Sequence, residues 1–344
     1  MAKKKYSTRM KKIEPAVQTL RFAIPITADP NEFYIDLSQC ASLVNRRFYR
    51  QGINWAVSGF KFLTNPQITG NVIIGKLPNT WVMSNAWEKG FRNWQRMNNE
   101  ALSESQSIRP RFLDFKIFAD AAHHALGFGA NVLPSSISAP YVAGEWESSK
   151  YAIPFGSADP GDTEEFEVIA TGASFPGNSP VGENLNAVSL IEGYAASRGL
   201  PNVLDPNRPD DASDSQGIDP ENWLQALFNE GTDQSEVVLD DMITENNIAP
   251  YPFENDGVNT DTMYPNGANQ GTGLMVHDVD QITGTTIGGI TRMKGGMFPC
   301  GLIAIGVSNV SGIEPPAEDT TLELLIELVP GNHRGYLCEP MTDM

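Results

Sequence analysis

The feature that most narrows the fold of this chain is a series of short apolar runs of period two, cut apart by Gly, Pro and Asn. In AVQTLRFAIPI (16–26), Val17, Thr19 and Arg21 alternate with Leu20, Phe22 and Ile24. That alternation marks a half-buried strand. FYIDLS (33–38) is a second short candidate. INWAVSGFKFLT (53–64) is a longer one, where Trp55, Val57 and the Phe60/Phe62 pair fit a pleated surface with a bulge near Gly59. The series continues at 71–77, 111–120, 149–155, 164–172, 285–293, 300–309 and 321–329. With 31 Gly, 24 Pro and only 19% charged residues, the chain suits strands joined by turns rather than a helical bundle.

Two regions break the pattern. In WVMSNAWEKGFRNWQRMNNEAL (81–102), Trp87, Phe91 and Trp94 recur at helical spacing, with Asn79 or Thr80 as cap after Pro78. Gly90 costs such a helix about 1 kcal/mol relative to Ala, so close packing is expected there. Residues 173–272 are rich in Pro, Gly, Asn and Asp, with helical candidates at 186–197, 220–231 and 235–246. The expected fold is all-β: a single eight-stranded antiparallel jelly roll with helix-bearing loop insertions. Residues 1–15 read as a basic disordered arm, 16–344 as the domain, and about 173–272 as a surface or interface insertion. An immunoglobulin-like sandwich fits less well, because its loops are shorter and its strands more evenly spaced.

Several chemistries find no footing. No stretch approaches the roughly twenty apolar residues of a membrane span, and no apolar h-region follows the basic start, which reads against a secretory signal. Cys40, Cys300 and Cys338 are odd in number and far apart, so a disulfide framework or zinc site is not expected. His123 and His124, just after a strand candidate, read as a structural or interfacial pair, and His277 as a turn or strand-edge residue. There is no GxSxG elbow, Walker loop or dinucleotide fingerprint. No catalytic role is assigned. The acid-rich DPNRPDDASDSQGIDPE (205–221) fails the EF-hand order and reads as a solvated loop, with calcium at subunit contacts as the minority alternative.

Charge supplies the clearest functional signal. The formal net charge is −18, yet residues 1–100 sum to +9 and the remainder to −27. Residues 201–262 carry 15 acids against one base, Arg208. The chain opens with six cations in twelve residues, Lys3, Lys4, Lys5, Arg9, Lys11 and Lys12. A flexible polycation neutralises phosphates without fixed geometry. NRRFYRQG (45–52) adds Arg46, Arg47 and Arg50 around Phe48 and Tyr49, pairing phosphate-gripping guanidinium groups with aromatic faces that can stack on bases. The plainer reading of Phe48 and Tyr49 is that they belong to the core.

YIDLSQCASLVNRRFYRQGINWAVSGFKF, KLPNTWVMSNAWEKGF, RPRFLDFKIF and the closing LVPGNHRGYLCEPMTDM resemble the capsid proteins of small circular Rep-encoding single-stranded DNA (CRESS-DNA) viruses. The likeness extends through AASRGLPNVLDPNRPDDAS and ENNIAPYPFEND. It implies a jelly-roll subunit, located in the virion, that assembles in many copies into an icosahedral shell around a circular single-stranded DNA genome. On that reading the basic arm is expected to face that DNA, and the charge split puts the acidic 201–262 stretch outside or at subunit contacts, where APYPF (249–253) and NWLQALF (222–228) would supply apolar surface unless they form the core of the insertion itself. The arm is short and modestly basic for such a protein, which shifts part of the neutralisation to Arg46, Arg47 and Arg50. Two rivals are a double jelly-roll coat protein of a membrane-containing phage and a carbohydrate-binding β-sandwich.

Overall fold

The computed structural model describes residues 15–26, 29–65, 67–101, 114–137, 139–154, 163–180, 184–197, 273–283, 289–311 and 321–344. The arm cations Lys3 to Lys12, the 201–262 stretch, the helical candidates at 220–231 and 235–246 and both apolar contact runs lie outside these residues.

Two antiparallel sheets enclose the main core. In the first, β1 (Thr19–Pro25) pairs with β11 (Thr321–Leu328), β11 with β3 (Ile53–Leu63), and β3 with β9 (Ile290–Phe298). β14 (Cys338–Pro340) completes it by pairing with Ile53–Trp55 at the start of β3. The second sheet runs in the order β2 (Asn31–Asp36), β10 (Leu302–Ser311), β4 (Thr69–Lys76) and β8 (Met275–Ile282). Alternation is strict where one face is buried. β1 reads exposed-buried through Leu20, Phe22 and Ile24, and β11 answers with Leu322, Leu324, Ile326 and Leu328. These meet Ile35, Val72, Ile74, Ile303 and Ile305 of the second sheet in one apolar cluster. The register shift between Glu327 and Leu328 places a bulge opposite Val57–Gly59, where the sequence pointed to one.

A second layer lies outside this pair of sheets. The other-parity residues Tyr34, Leu302 and Ala304 join a separate core with Val82, Met83, Trp87 and Trp94 of α2 (Trp81–Ala101). Its far side is a three-stranded sheet of β5 (Lys150–Pro154), β6 (Thr163–Ile169) and β7 (Ala187–Ser189), together with α4 (Leu190–Ser197). Gly90 sits at the contact: a Cβ there would lie 2.5 Å from Leu190 Cδ2, and the Tyr151 hydroxyl donates to the Gly90 carbonyl. β12 (Pro330–Gly331) and β13 (Gly335–Tyr336) form a two-stranded ribbon, α1 (Leu37–Asn45) continues directly from β2, and α3 is Ala121–Leu126.

The expectation of a single all-β, eight-stranded jelly roll is therefore corrected. The described residues form a mixed α/β fold with sheets of five, four, three and two strands and four α-helices. The icosahedral capsid architecture attached to that simpler fold does not hold either. The physical reason is that α2, β5, β6, β7 and α4 bury large apolar side chains in a core of their own, instead of serving as loop insertions or as strands of the two main sheets. The strand expected at 111–120 is also corrected: residues 111–113 lie outside the described residues, 114–117 belong to no strand, and Phe118 alone bridges, to Ile169. Among the described residues, no helix is long and apolar enough to cross a membrane.

Candidate nucleic-acid interface

The arginine run of the sequence is a loop between α1 and β3, and its shape follows from how α1 begins and ends. Asp36 caps α1, accepting from the amides of Ser38 (2.8 Å) and Gln39 (3.2 Å). At the other end Arg46 adopts the left-handed conformation, φ 54°, which reverses the chain as a helix C-cap requires. A Gly or Asn is usual there, so an arginine indicates that the side chain is kept despite the backbone cost.

The loop is then pinned residue by residue. Arg334 Nη1 donates to the carbonyl of Phe48. The Tyr49 amide donates to Ser42 Oγ (2.9 Å) and its hydroxyl to the Arg334 carbonyl (2.9 Å). Ser38 Oγ donates to the Arg50 carbonyl at 3.1 Å. Tyr49 is fully buried, with its ring 5.8 Å from that of Trp55 and 5.5 Å from that of Tyr336. It is a core residue, as the plainer reading held, and offers no face to a base.

Phe48 differs. It is half-buried, and its ring lies 6.4 Å from that of Trp146, also half-buried. Lys116 Nζ stands 4.7 Å over the Trp146 ring, a cation–π arrangement. Arg46, Arg50 and Arg334 are exposed and Arg47 is half-exposed. One surface thus combines four guanidinium groups, an ammonium and two partly open aromatic rings. The arginines suit phosphates and the rings suit stacking.

The arm enters at this surface. Arg47 Nη1 donates to the Pro15 carbonyl at 3.2 Å. Val17 is held from both sides, its amide donating to Asn45 Oδ1 (3.0 Å) and its carbonyl accepting from the Tyr336 hydroxyl (2.6 Å). The structure brings together Arg46, Arg47 and Arg50 from the sequence-derived set. Lys3, Lys4, Lys5, Arg9, Lys11 and Lys12 lie outside the described residues.

Sequence reasoning missed Arg334, Lys116 and Trp146. Arg334 had a signal, standing in NHRG beside a glycine with φ 106°. Lys116 and Trp146 had none, since only the tertiary fold carries residues 114–117 and the 139–149 connection to the loop.

Beneath the loop lies a buried polar network. Gln51 Nε2 donates to Asp36 Oδ2 (3.0 Å) and to the Ile117 carbonyl (3.1 Å), and the Ile117 amide donates back to Gln51 Oε1 (2.7 Å). The Gln51 amide donates to Asp114 Oδ1 at 3.2 Å. Burial pushes the Asp36 carboxyl up to about 7, against the opposing hydrogen bonds of Gln39, Gln51 and Ser38. Burial likewise pushes Asp114 up to about 6, against the nearby charges of Lys116 and Arg50 and the Gln51 amide.

The histidines do structural work. His123 and His124 are on α3, not after a strand, and both are buried. The His123 ring stacks on Tyr34 at 4.4 Å and 2°. Nδ1 accepts from the Ala119 amide (3.0 Å), which leaves Nε2–H to donate to Asn131 Oδ1 (2.8 Å). His124 Nε2 lies 2.9 Å from Glu167 Oε2. His277 is on β8, the last strand in the order of its sheet, with Nε2 3.0 Å from the Lys294 carbonyl. Among the described residues, no three His, Cys, Asp or Glu side chains could hold a metal ion together.

Compared with family models, curated proteins and solved structures, the chain matches none of them.

Proposed function

We propose that this chain is a self-assembling coat protein that encloses circular single-stranded DNA, with the arginine loop and the N-terminal arm forming one DNA-binding surface. The observation that carries the reading is the hydrogen bond from Arg47 to Pro15, which roots a segment of six cations beside four clustered arginines. Two half-open rings beside the cations, Phe48 and Trp146, fit a single strand better than a duplex, because unpaired bases can be splayed out and stacked. The split of +9 and −27 between the first hundred residues and the rest supports a body with one DNA-facing side. The resemblance to coat proteins of small circular single-stranded DNA viruses points the same way and supports a location in the virion as part of the proposal. No catalysis is assigned.

Binding of a fluorescent oligothymidylate, followed by anisotropy across salt concentration, tests the DNA half of the proposal. The full chain is compared with a variant in which Lys3, Lys4, Lys5, Arg9, Lys11 and Lys12 are all Gln. Steep salt dependence that falls in the variant supports it; binding too weak to saturate in low salt overturns it.

A further inference from the structure

The two buried acids beneath the arginine loop differ in how their oxygens are used. Asp36 accepts four hydrogen bonds: Ser38 and Gln39 amides on Oδ1, Gln51 Nε2 and Trp146 Nε1 (3.1 Å) on Oδ2. A proton added to Asp36 would displace one of these donors. Asp114 accepts from the Gln51 amide on Oδ1, while its Oδ2 is buried with no partner. A bare buried carboxylate oxygen is costly, and a neutral carboxyl there costs less. The proton of the pair therefore belongs on Asp114 Oδ2.

The groups facing this pair are few. Arg50 and Lys116 bring positive charge to Asp114. The thiols of Cys40 and Cys300 are pushed well above their usual range by burial, so they add no charge near neutral pH. Among the described residues beside the loop, Tyr336 is pushed up to about 12 by burial and stays neutral, while His333, with its ring 6.3 Å from that of Tyr49, is held below its ordinary value by burial and Arg334.

We propose that Asp114 is a proton-linked control on the arginine loop, neutral when the loop grips phosphate and ionised when it does not. The inference rests on the DNA-binding reading of the loop. An ionised Asp114 opposes the charges of Arg50 and Lys116 from below, which weakens the field a phosphate meets above them. Protonation removes that opposition. By reciprocity, phosphate binding then favours protonation, so DNA binding takes up a proton. Burial raises Asp36 above Asp114, to about 7, yet four donors, the Trp146 indole among them, hold the charge on Asp36, so the bare Oδ2 of Asp114 takes the first proton.

The test is oligothymidylate binding to the full chain at fixed salt, from about pH 8 down to about pH 5.5. The expected result is a gain in affinity on the order of three- to tenfold, the size of one added charge near a phosphate contact. Asp114→Asn should bind tightly with little pH dependence, and His333→Gln should keep the wild-type slope. Calorimetry of the wild-type complex, in two buffers of different protonation enthalpy, reads proton uptake directly and needs no variant to fold. Binding without pH dependence or proton uptake overturns the proposal, as does a wild-type slope in Asp114→Asn. Absence of DNA binding at every pH overturns the DNA reading itself, and this proposal with it.

Discussion

Arg47 reaches back along the chain to the carbonyl of Pro15, 3.2 Å away, and so ties the start of the described fold to the loop that follows α1. Asn45, two residues before Arg47, binds the Val17 amide, and the Tyr336 hydroxyl binds the Val17 carbonyl. Three separate parts of the sequence thus converge where the basic arm departs. The relationship has consequences that can be measured.

Arg46 and Arg50 are exposed, so replacing both by Ala should leave thermal stability nearly unchanged. It should weaken binding of single-stranded DNA and lower the salt slope of the binding constant by about 1.4, at roughly 0.7 for each lost single-strand phosphate contact. An unchanged slope would show that the loop does not meet phosphate.

Trp146 should act through stacking. Trp146→Ala is expected to cost DNA binding about 1–3 kcal/mol, the usual loss for a base–aromatic stack, with less effect on the salt slope than the arginine pair. Trp146→Phe keeps a ring and should recover most of that loss. Because the indole also donates to Asp36 (3.1 Å), both variants should lose some thermal stability. A Phe variant as weak in binding as the Ala variant would point to the indole hydrogen bond instead.

His123 gives a pH signature of stability. Burial holds its ring down to about 4, so the folded protein refuses a proton that the unfolded chain accepts below about 6.5. Stability from this group is full above pH 6.5 and is lost as pH falls toward 4, by on the order of 3 kcal/mol. His123→Gln cannot titrate. It should be less stable than wild type at neutral pH, for want of the stack on Tyr34, and the gap should narrow on acidification. Melting temperatures at several pH values decide this; a gap that widens at low pH contradicts it.

Gly90 tests the second layer. Ala is the better helix former by about 1 kcal/mol, yet its Cβ would stand 2.5 Å from Leu190 Cδ2, and Leu190 is fully buried. Overpacking of this kind costs about 1–3 kcal/mol, so Gly90→Ala should destabilise the protein overall. A rise in melting temperature would mean that α2 and α4 are not packed together as described.

The sequence was most legible where one face of a strand is buried. Leu20, Phe22 and Ile24 announced β1, and Gly59 marked the bulge of β3, because alternation and its interruption are local properties. Trp87 and Trp94 announced α2 for the same reason. Layering was not legible. Tyr34 and Ile35 are neighbours that enter different cores, and nothing local says that the face bearing Tyr34 is covered by a helix and a third sheet. α1 was not read from the sequence although Asp36 caps it, and its first two residues were given to the strand candidate 33–38, since LSQCASLVN is too short to show a clear period. At the candidate site Arg46, Arg47 and Arg50 were visible as a cluster in sequence. Arg334, Lys116 and Trp146 join them only through the fold.

The central claim is that this chain assembles around single-stranded DNA. Negative-stain electron microscopy of the purified full chain, with and without nuclease and across salt and calcium conditions, addresses it most directly. The account predicts closed particles of uniform size that retain nuclease-protected single-stranded DNA. A field of small separate molecules at high protein concentration under every condition, with no nucleic acid retained, would contradict it.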